Sequence, residues 1–171
     1  MSNYLIEFED YLSFSVNQFI EIINKTEGIK LNELRVKDLT YYNNQFINPG
    51  HGIYIFKDDR SILLIGKART MSFTERIAKH FDLRPNAWFN RLLFVINRDK
   101  EKFKIVSNND EDGFKRSSEY VFNNAKLLLI NIKSDRIHQI DKFENILRAT
   151  AEPLNRFKRK IKDGGVLLSD I

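Results

Sequence analysis

Two short apolar runs, separated by a polar turn, constrain the fold of this chain more than any other feature. The runs Ile53–Phe56 and Ile62–Ile65 flank the five residues 57–61, which read Lys-Asp-Asp-Arg-Ser. Two apolar runs around a short polar turn predict a β-hairpin. The turn signal Asn48-Pro49-Gly50 lies just before the first run and closes the N-terminal region.

A helix with a clear start follows the hairpin. Ser72 and Glu75 have the spacing of a capping box, and Phe73, Ile77 and Phe81 repeat every four residues. The sequence therefore predicts an amphipathic helix that packs directly after the hairpin.

The other elements are predicted from the same kinds of pattern. We predict helices over Ser15–Thr26, Ser117–Asn124 and Arg136–Ala151, buried strands over Leu92–Ile96 and Leu127–Ile132, and a loop or short hairpin over 98–116. This order predicts an α/β (α+β) domain, in which helices flank a small and mainly antiparallel central sheet. We divide the chain into an acidic, helical N-terminal extension (1–48), a central domain (49–162) and a C-terminal tail (163–171).

Composition limits the classes of protein that remain. The chain of 171 residues has no cysteine, which excludes disulfides and thiolate metal sites. No apolar run reaches the roughly 18 residues of a membrane span, and the acidic start 1–10 does not resemble a signal peptide. We therefore expect a cytoplasmic protein that does not contact a membrane.

The charge is unevenly distributed along the chain. Residues 1–50 carry a net charge of −3, and the remaining 121 residues carry +8. A basic balance in one part of a chain favours a polyanionic partner, although a solvated basic surface explains it equally well.

Arg76 and His80 are the first candidates for chemistry. They are four residues apart on the predicted helix, so they share a face that borders the apolar stripe. A guanidinium group there can bind a phosphate through two hydrogen bonds. The alternative is a surface arginine beside a partly buried histidine.

Glu144 is the second candidate. It lies within the apolar stripe that Ile140, Phe143, Leu147 and Ala151 form on the last predicted helix. An inward carboxylate is costly unless it is paired or bound to a metal, and a lone carboxylate is a normal ligand for Mg²⁺. A glutamate paired with a lysine or arginine at the edge of the helix is the alternative.

Tyr54 lies in the middle of the first hairpin strand, where a tyrosine usually belongs to the core. Its hydroxyl can accept a proton only if cations lower its pKa from about 10 or if the proton moves onward. Lys67 and His80 are candidates to assist it. Asn155, just after the last helix, could orient a phosphate or could simply cap that helix.

A basic segment follows the last helix and contains five cations and no acid, namely Arg156, Lys158, Arg159, Lys160 and Lys162. Such a segment can dock on phosphates, and the alternative is a solubilising tail. Arg69 and Lys79 join these five residues in the predicted nucleic-acid-binding set.

These candidates occur in an order that resembles the GIY-YIG nuclease family. The matching residues are Gly52-Ile53-Tyr54, Leu64-Ile65-Gly66-Lys67, Arg76, His80, Glu144, Pro153 and Asn155. The likeness lies in the segments 52–81 and 143–155, about a quarter of the chain. The second motif departs from the family pattern because Leu64 replaces its tyrosine.

The resemblance implies a three-stranded antiparallel sheet flanked by helices and a divalent-metal-dependent cleavage of DNA. Tyr54 would be the general base or its relay, Arg76 would stabilise the pentacoordinate transition state, and Glu144 would hold one Mg²⁺ or Mn²⁺ ion. Lys67 and His80 would position the water or the phosphate. Asn155 would be an accessory residue.

Three functions follow as expectations. The first is a DNA endonuclease related to restriction or mobile-element enzymes, which would act as a homodimer if it cuts both strands. The second is an inactive GIY-YIG-like scaffold that binds DNA, and the third is an RNA-directed nuclease. An inactive site has no reason to keep Tyr54, Arg76, His80 and Glu144 together, so we favour the first.

Overall fold

The hairpin lies at the centre of the observed sheet. The structure is a computed structural model that describes residues 3–84, 86–105, 111–155 and 163–171. The strands are β1 (Leu5–Glu7), β2 (Ile29–Lys30), β3 (Tyr41–Tyr42), β4 (Gln45–Phe46), β5 (Gly52–Lys57), β6 (Ile62–Ala68) and β7 (Lys126–Asn131). The α-helices are α1 (Val16–Lys25), α2 (Phe73–Ala78), α3 (Arg91–Arg98), α4 (Lys100–Phe103), α5 (Glu111–Asn124) and α6 (Ile140–Thr150).

The main sheet has the strand order β1-β7-β5-β6. Its centre is antiparallel, because β5 pairs with β6 on one side and with β7 on the other. The edge strand β1 pairs with β7 in the parallel direction, and the short strand β2 also pairs with β7. The prediction of a mainly antiparallel central sheet flanked by helices is therefore confirmed.

The turn of the hairpin is closed by Asp58. Its carboxylate Oδ1 accepts hydrogen bonds from the backbone N–H groups of Arg60 and Ser61, each at 2.8 Å. Aspartate commonly stabilises a turn in this way, because its short side chain can reach backbone donors two or three residues ahead. These bonds end the turn at Ser61, so strand β6 begins at Ile62.

Each face of the sheet carries its own apolar core, because side chains alternate along a strand. One core contains Tyr54, Phe56, Leu64 and residues of α2, α3 and α5. The other contains Ile53, Ile55, Ile65 and residues of α1 and α6. The edge strand β6 therefore lies between helices on both faces of the sheet, which is the position that matters for the site.

The N-terminal segment contributes to this same sheet and core. Helix α1 begins at the predicted capping box, in which Ser15 Oγ accepts from the Gln18 N–H and Gln18 Oε1 accepts from the Ser15 N–H. Strand β1 lies beside β7, and Leu168 and Ile171 from the C-terminal segment pack into the core around α1.

One predicted strand is wrong. The run Leu92–Ile96 lies inside helix α3 and does not form a strand. Leu92, Leu93, Val95 and Ile96 are buried, whereas Phe94 is 40% exposed. A continuous apolar run of this length has no visible period, so its sequence could not separate a buried strand from one side of a helix.

Other boundaries also differ from the sequence prediction. Residues 98–105 and 111–116 contain α4 and the first turns of α5, where we expected a loop or a hairpin, so α5 begins at Glu111 and not at Ser117. The last predicted helix is a 3₁₀ segment, Ser134–Gln139, followed by α6. The basic segment 156–162 lies outside the described residues.

Lys57 provides the first testable prediction. Its ammonium donates hydrogen bonds to the backbone carbonyls of Ile23, Asn24 and Thr26, at the C-terminal end of α1. These bonds satisfy carbonyls that a helix end leaves without partners, and burial with the nearby Lys126 lowers the pKa of Lys57. We expect Lys57→Met to lower the free energy of unfolding by about 2 kcal/mol, measured by urea denaturation.

The control for that experiment is Lys25→Met. Lys25 ends the same helix, but its side chain is 77% exposed, and its one ion pair with a described residue is a long contact of 4.0 Å with Glu21. Its replacement should change stability by less than about 0.5 kcal/mol. Equal losses in both variants would contradict a capping role for Lys57.

Candidate active site

A cavity of about 870 Å³ lies along the edge strand β6. Strand β5 and helices α2 and α3 contribute one wall, and α6 with the residues after it contributes the other. All six residues predicted for catalysis and metal binding line this cavity: Tyr54, Lys67, Arg76, His80, Glu144 and Asn155. The fold therefore gathers side chains from positions as distant as 54 and 155 into one place.

The two motifs require their glycines, Gly52 and Gly66, for different steric reasons. Tyr54 lies opposite Gly66 in the β5–β6 register, and its ring covers that glycine. A Cβ at Gly66 would lie under 3.0 Å from Tyr54 Cζ and Oη. Gly52 has a φ of +145°, and a Cβ there would meet the backbone carbonyl of Ile130. A side chain at either position would therefore collide with a neighbour, which is the Tyr54 ring at Gly66 and the Ile130 carbonyl at Gly52.

The hydroxyl of Tyr54 is held by His80. Tyr54 Oη and His80 Nε2 are 2.8 Å apart, and the backbone N–H of Leu92 donates to His80 Nδ1 at 3.3 Å. Because Nδ1 is an acceptor, the proton of the neutral ring is on Nε2, which donates to Tyr54. Burial and the nearby Arg76 lower the pKa of His80 to about 3, so the ring is neutral at physiological pH.

Tyr54 itself is protonated at neutral pH. Burial raises its pKa to about 12, although the nearby guanidinium charge of Arg76 acts in the opposite direction. Since His80 already donates its proton to the phenol oxygen, the phenol proton must point elsewhere. The Tyr54–His80 pair is open toward the cavity, so the phenol proton points into the cavity.

Arg76 presents its charge to the cavity next to Tyr54. Its guanidinium carbon lies 4.7 Å from the centroid of the Phe89 ring, which supports one face of the group. Among the described residues, no carboxylate forms an ion pair with Arg76. Its positive charge is therefore available to an anionic ligand.

Glu144 is buried, with 7% of its surface exposed, and is paired through both carboxylate oxygens. Lys67 Nζ lies 3.1 Å from Oε2, and Arg148 lies 3.5 Å from Oε1. Lys67 also binds Asp141 at 2.8 Å. Burial opposes the charge of Lys67, but these two carboxylates raise its pKa, so Lys67 is a cation and cannot accept a proton.

Glu144 is the carboxylate of the predicted metal site, and its oxygen ligands are of the kind that a divalent cation binds. Magnesium often binds a protein through one carboxylate and keeps most of its waters, which need the space that this cavity offers. Among the described residues, no group of three or more acidic or histidine side chains is placed to hold a metal ion together. A cation at Glu144 would have to compete with Lys67 and Arg148 for the carboxylate.

Asn155 uses its side chain to hold the edge strand. Its Oδ1 accepts from the Ile65 N–H at 3.0 Å, and its Nδ2 donates to the Ile65 carbonyl at 2.8 Å. The guanidinium of Arg148 donates to the backbone carbonyl of Asn155. Asn155 therefore lines the cavity while its amide completes the hydrogen bonding of β6, a contact that neither predicted role, a phosphate ligand or a helix cap, describes.

The two described members of the predicted nucleic-acid-binding set lie outside the cavity lining. Arg69 is paired with Asp141, and Lys79 binds Glu75 at 3.0 Å. Their charges are partly neutralised by these carboxylates. The other members, Arg156, Lys158, Arg159, Lys160 and Lys162, fall in the segment that the structure does not describe.

The cavity contains cations that the sequence analysis missed. Arg91 and Arg98 from α3 and Arg148 from α6 line it together with Lys67 and Arg76. The described residues that line the cavity include these five cations and two carboxylates, Glu144 and Glu152, and Lys67 is also paired with Asp141 at the cavity edge. A correct helix assignment for α3 would have placed Arg91 and Arg98 on one face, since they are seven residues apart.

No protein-family model, curated protein or solved structure matches this chain. No helix in the described residues is long and apolar enough to cross a membrane.

Proposed function

We propose that this protein is a divalent-metal-dependent DNA endonuclease of the GIY-YIG type. The observation that carries the proposal is that the side chains named by the family resemblance, from Tyr54 to Asn155, line one cationic cavity. An excess of positive charge suits a phosphodiester backbone. The central antiparallel hairpin and its flanking helices are also what the resemblance implies.

Arg76 would stabilise the transition state. Negative charge builds on the phosphate oxygens as a water attacks the phosphorus in line with the leaving oxygen. A guanidinium that is already oriented by Phe89 and free of an ion pair among the described residues can bind that charge without reorganisation.

Tyr54 would act as a proton relay, because the attacking water must lose a proton. The His80 N–H orients the phenol and stabilises negative charge on its oxygen. Tyr54 accepts the proton of the water as its own proton leaves through the cavity to solvent. This relay does not require a free tyrosinate, which the pKa of about 12 makes rare at neutral pH.

Glu144 would hold the cation, with Lys67 and Asp141 positioned beside it. The bound cation would supply Lewis-acid stabilisation of the phosphate and of the leaving oxygen. Lys67, which remains protonated, would contribute charge and position, and would not carry the proton of the water.

The proposal is tested with supercoiled plasmid DNA in Mg²⁺ or Mn²⁺, and again with a chelator. We expect cutting that needs the metal and that Glu144→Gln reduces about 100-fold or more, because the amide keeps the shape but loses the charge. Glu111→Gln is the matched control, since Glu111 is exposed on α5 and is paired with Lys115. It should cut like the wild type.

Two results would contradict the proposal. Binding of DNA without cutting, across both metals and a range of pH, would favour the inactive scaffold. Cutting of labelled RNA but not of DNA under the same conditions would favour the RNA-directed nuclease.

A further inference from the structure

Phe94 is an aromatic residue that faces the cavity from α3. It is 40% exposed although its neighbours Leu93 and Val95 are buried. Its ring packs against Phe114 with centroids 5.5 Å apart, so Phe94 is supported on the side of the core. The part of the ring that remains exposed is an apolar surface inside a cavity that is otherwise rich in cations.

Two arginines flank Phe94 on the same helix. Arg91 lies three residues before it and Arg98 four residues after it, and all three residues line the cavity. At about 1.5 Å per residue, the two arginines are separated by about 10 Å along the helix axis, on one face. Alternation of cations with an aromatic ring is typical of surfaces that bind single-stranded nucleic acid, where bases stack on the ring and phosphates bind the cations.

The size of the cavity supports the same interpretation. A phosphate with a hydrated cation occupies only part of a space of about 870 Å³, and this volume is typical of sites that enclose a larger organic ligand. A nucleoside attached to the cleaved phosphate could therefore enter between α3 and β6.

We propose that Arg91, Phe94 and Arg98 bind an unpaired nucleotide next to the cleaved phosphate, with its base stacked on Phe94. This inference rests on the proposed nuclease function and adds the class of substrate. In an intact duplex the faces of the bases are covered by their neighbours, so they cannot reach Phe94. The preferred substrate is therefore DNA with a single-stranded segment.

The inference is tested by binding without chemistry. A fluorescein-labelled DNA strand of about 12 nucleotides and the corresponding blunt duplex are titrated with the protein in chelator, and anisotropy is recorded. We expect tighter binding of the strand. Phe94→Ala should weaken that binding about tenfold and leave the duplex unchanged, whereas Phe94→Tyr should retain wild-type affinity because it keeps the ring.

Phe122→Ala is the matched control. Phe122 is 41% exposed on α5 and does not line the cavity, so its loss should not change binding of the strand. Equal binding of strand and duplex, or no effect of Phe94→Ala on the strand, would overturn the inference.

The outcomes separate this inference from the nuclease proposal. If the protein prefers the single strand through Phe94 but never cuts DNA, the inferred nucleotide site is supported and the proposed nuclease activity is contradicted. If the protein cuts DNA with metal but Phe94→Ala binds the single strand as well as the wild type does, the nuclease proposal is supported and the inferred nucleotide site is contradicted.

Discussion

Replacement of Arg76 by alanine should reduce metal-dependent DNA cleavage about a thousandfold or more, while DNA binding changes little. Charge-stabilising arginines in phosphoryl transfer contribute on this scale, because their interaction is strongest in the transition state. Arg76 has the features of such a group, since it lies beside Tyr54, stacks on Phe89 and has no carboxylate partner among the described residues. Single-turnover cleavage and anisotropy measure the two quantities separately.

Arg76→Lys and Arg116→Ala complete that experiment. Lysine keeps the charge but loses the two parallel donors, so we expect only partial recovery of the rate. Arg116 is an exposed arginine on α5 that is paired with Asp112, and its loss should leave cleavage unchanged. A rate within threefold of wild type for Arg76→Ala, or an equal loss of rate and affinity, would exclude a role specific to the transition state, since about threefold corresponds to less than 1 kcal/mol.

The elements that local sequence determines were predicted well. The turn of the hairpin depends on Asp58 and its near neighbours, and the start of α2 depends on Ser72, whose side chain accepts from the Glu75 N–H. Helix α1 begins at a capping box that is complete within four residues. In each case the hydrogen bond that decides the structure joins residues that are close in sequence, so the pattern alone is sufficient.

The parts that depend on distant contacts were predicted less well. Asn155 bonds both backbone groups of Ile65, which is 90 residues earlier, and nothing near Asn155 indicates that strand. The run Leu92–Ile96 is helical because of its packing between the sheet and α5, which its composition does not reveal. The error in that element also concealed the face of α3 that brings Arg91 and Arg98 to the cavity.

The candidate site shows the same division. The residue types and their order led to Tyr54, Arg76, His80 and Glu144, and the structure brings all of them to one cavity. Their roles within it depend on partners that the order does not name. The Leu92 N–H sets the tautomer of His80, and Asp141 shares Lys67 with Glu144.

Replacement of Gly66 by alanine should damage stability and cleavage together. The new methyl group would lie under 3.0 Å from Tyr54 Cζ and Oη, and the ring is buried between Gly66 of β6 and His80, so it has little room to move. Overpacking of this kind costs about 3 kcal/mol, and a displaced ring would lose the hydrogen bond to His80. Urea denaturation and plasmid cleavage measure the two losses.

A double-mutant cycle identifies the ring as the cause. In a Tyr54→Ala background the methyl group at position 66 has space, so Gly66→Ala should then cost less than about 1 kcal/mol. Gly165→Ala is the matched control, because a Cβ at Gly165 meets nothing within 4 Å. An equal cost of Gly66→Ala with and without the Tyr54 ring would show that the glycine serves the backbone of β6 and not the placement of Tyr54. Gly66 would then be required by the backbone of β6 alone, and the packing of the Tyr54 ring on Gly66 would no longer support a role for Tyr54 as proton relay.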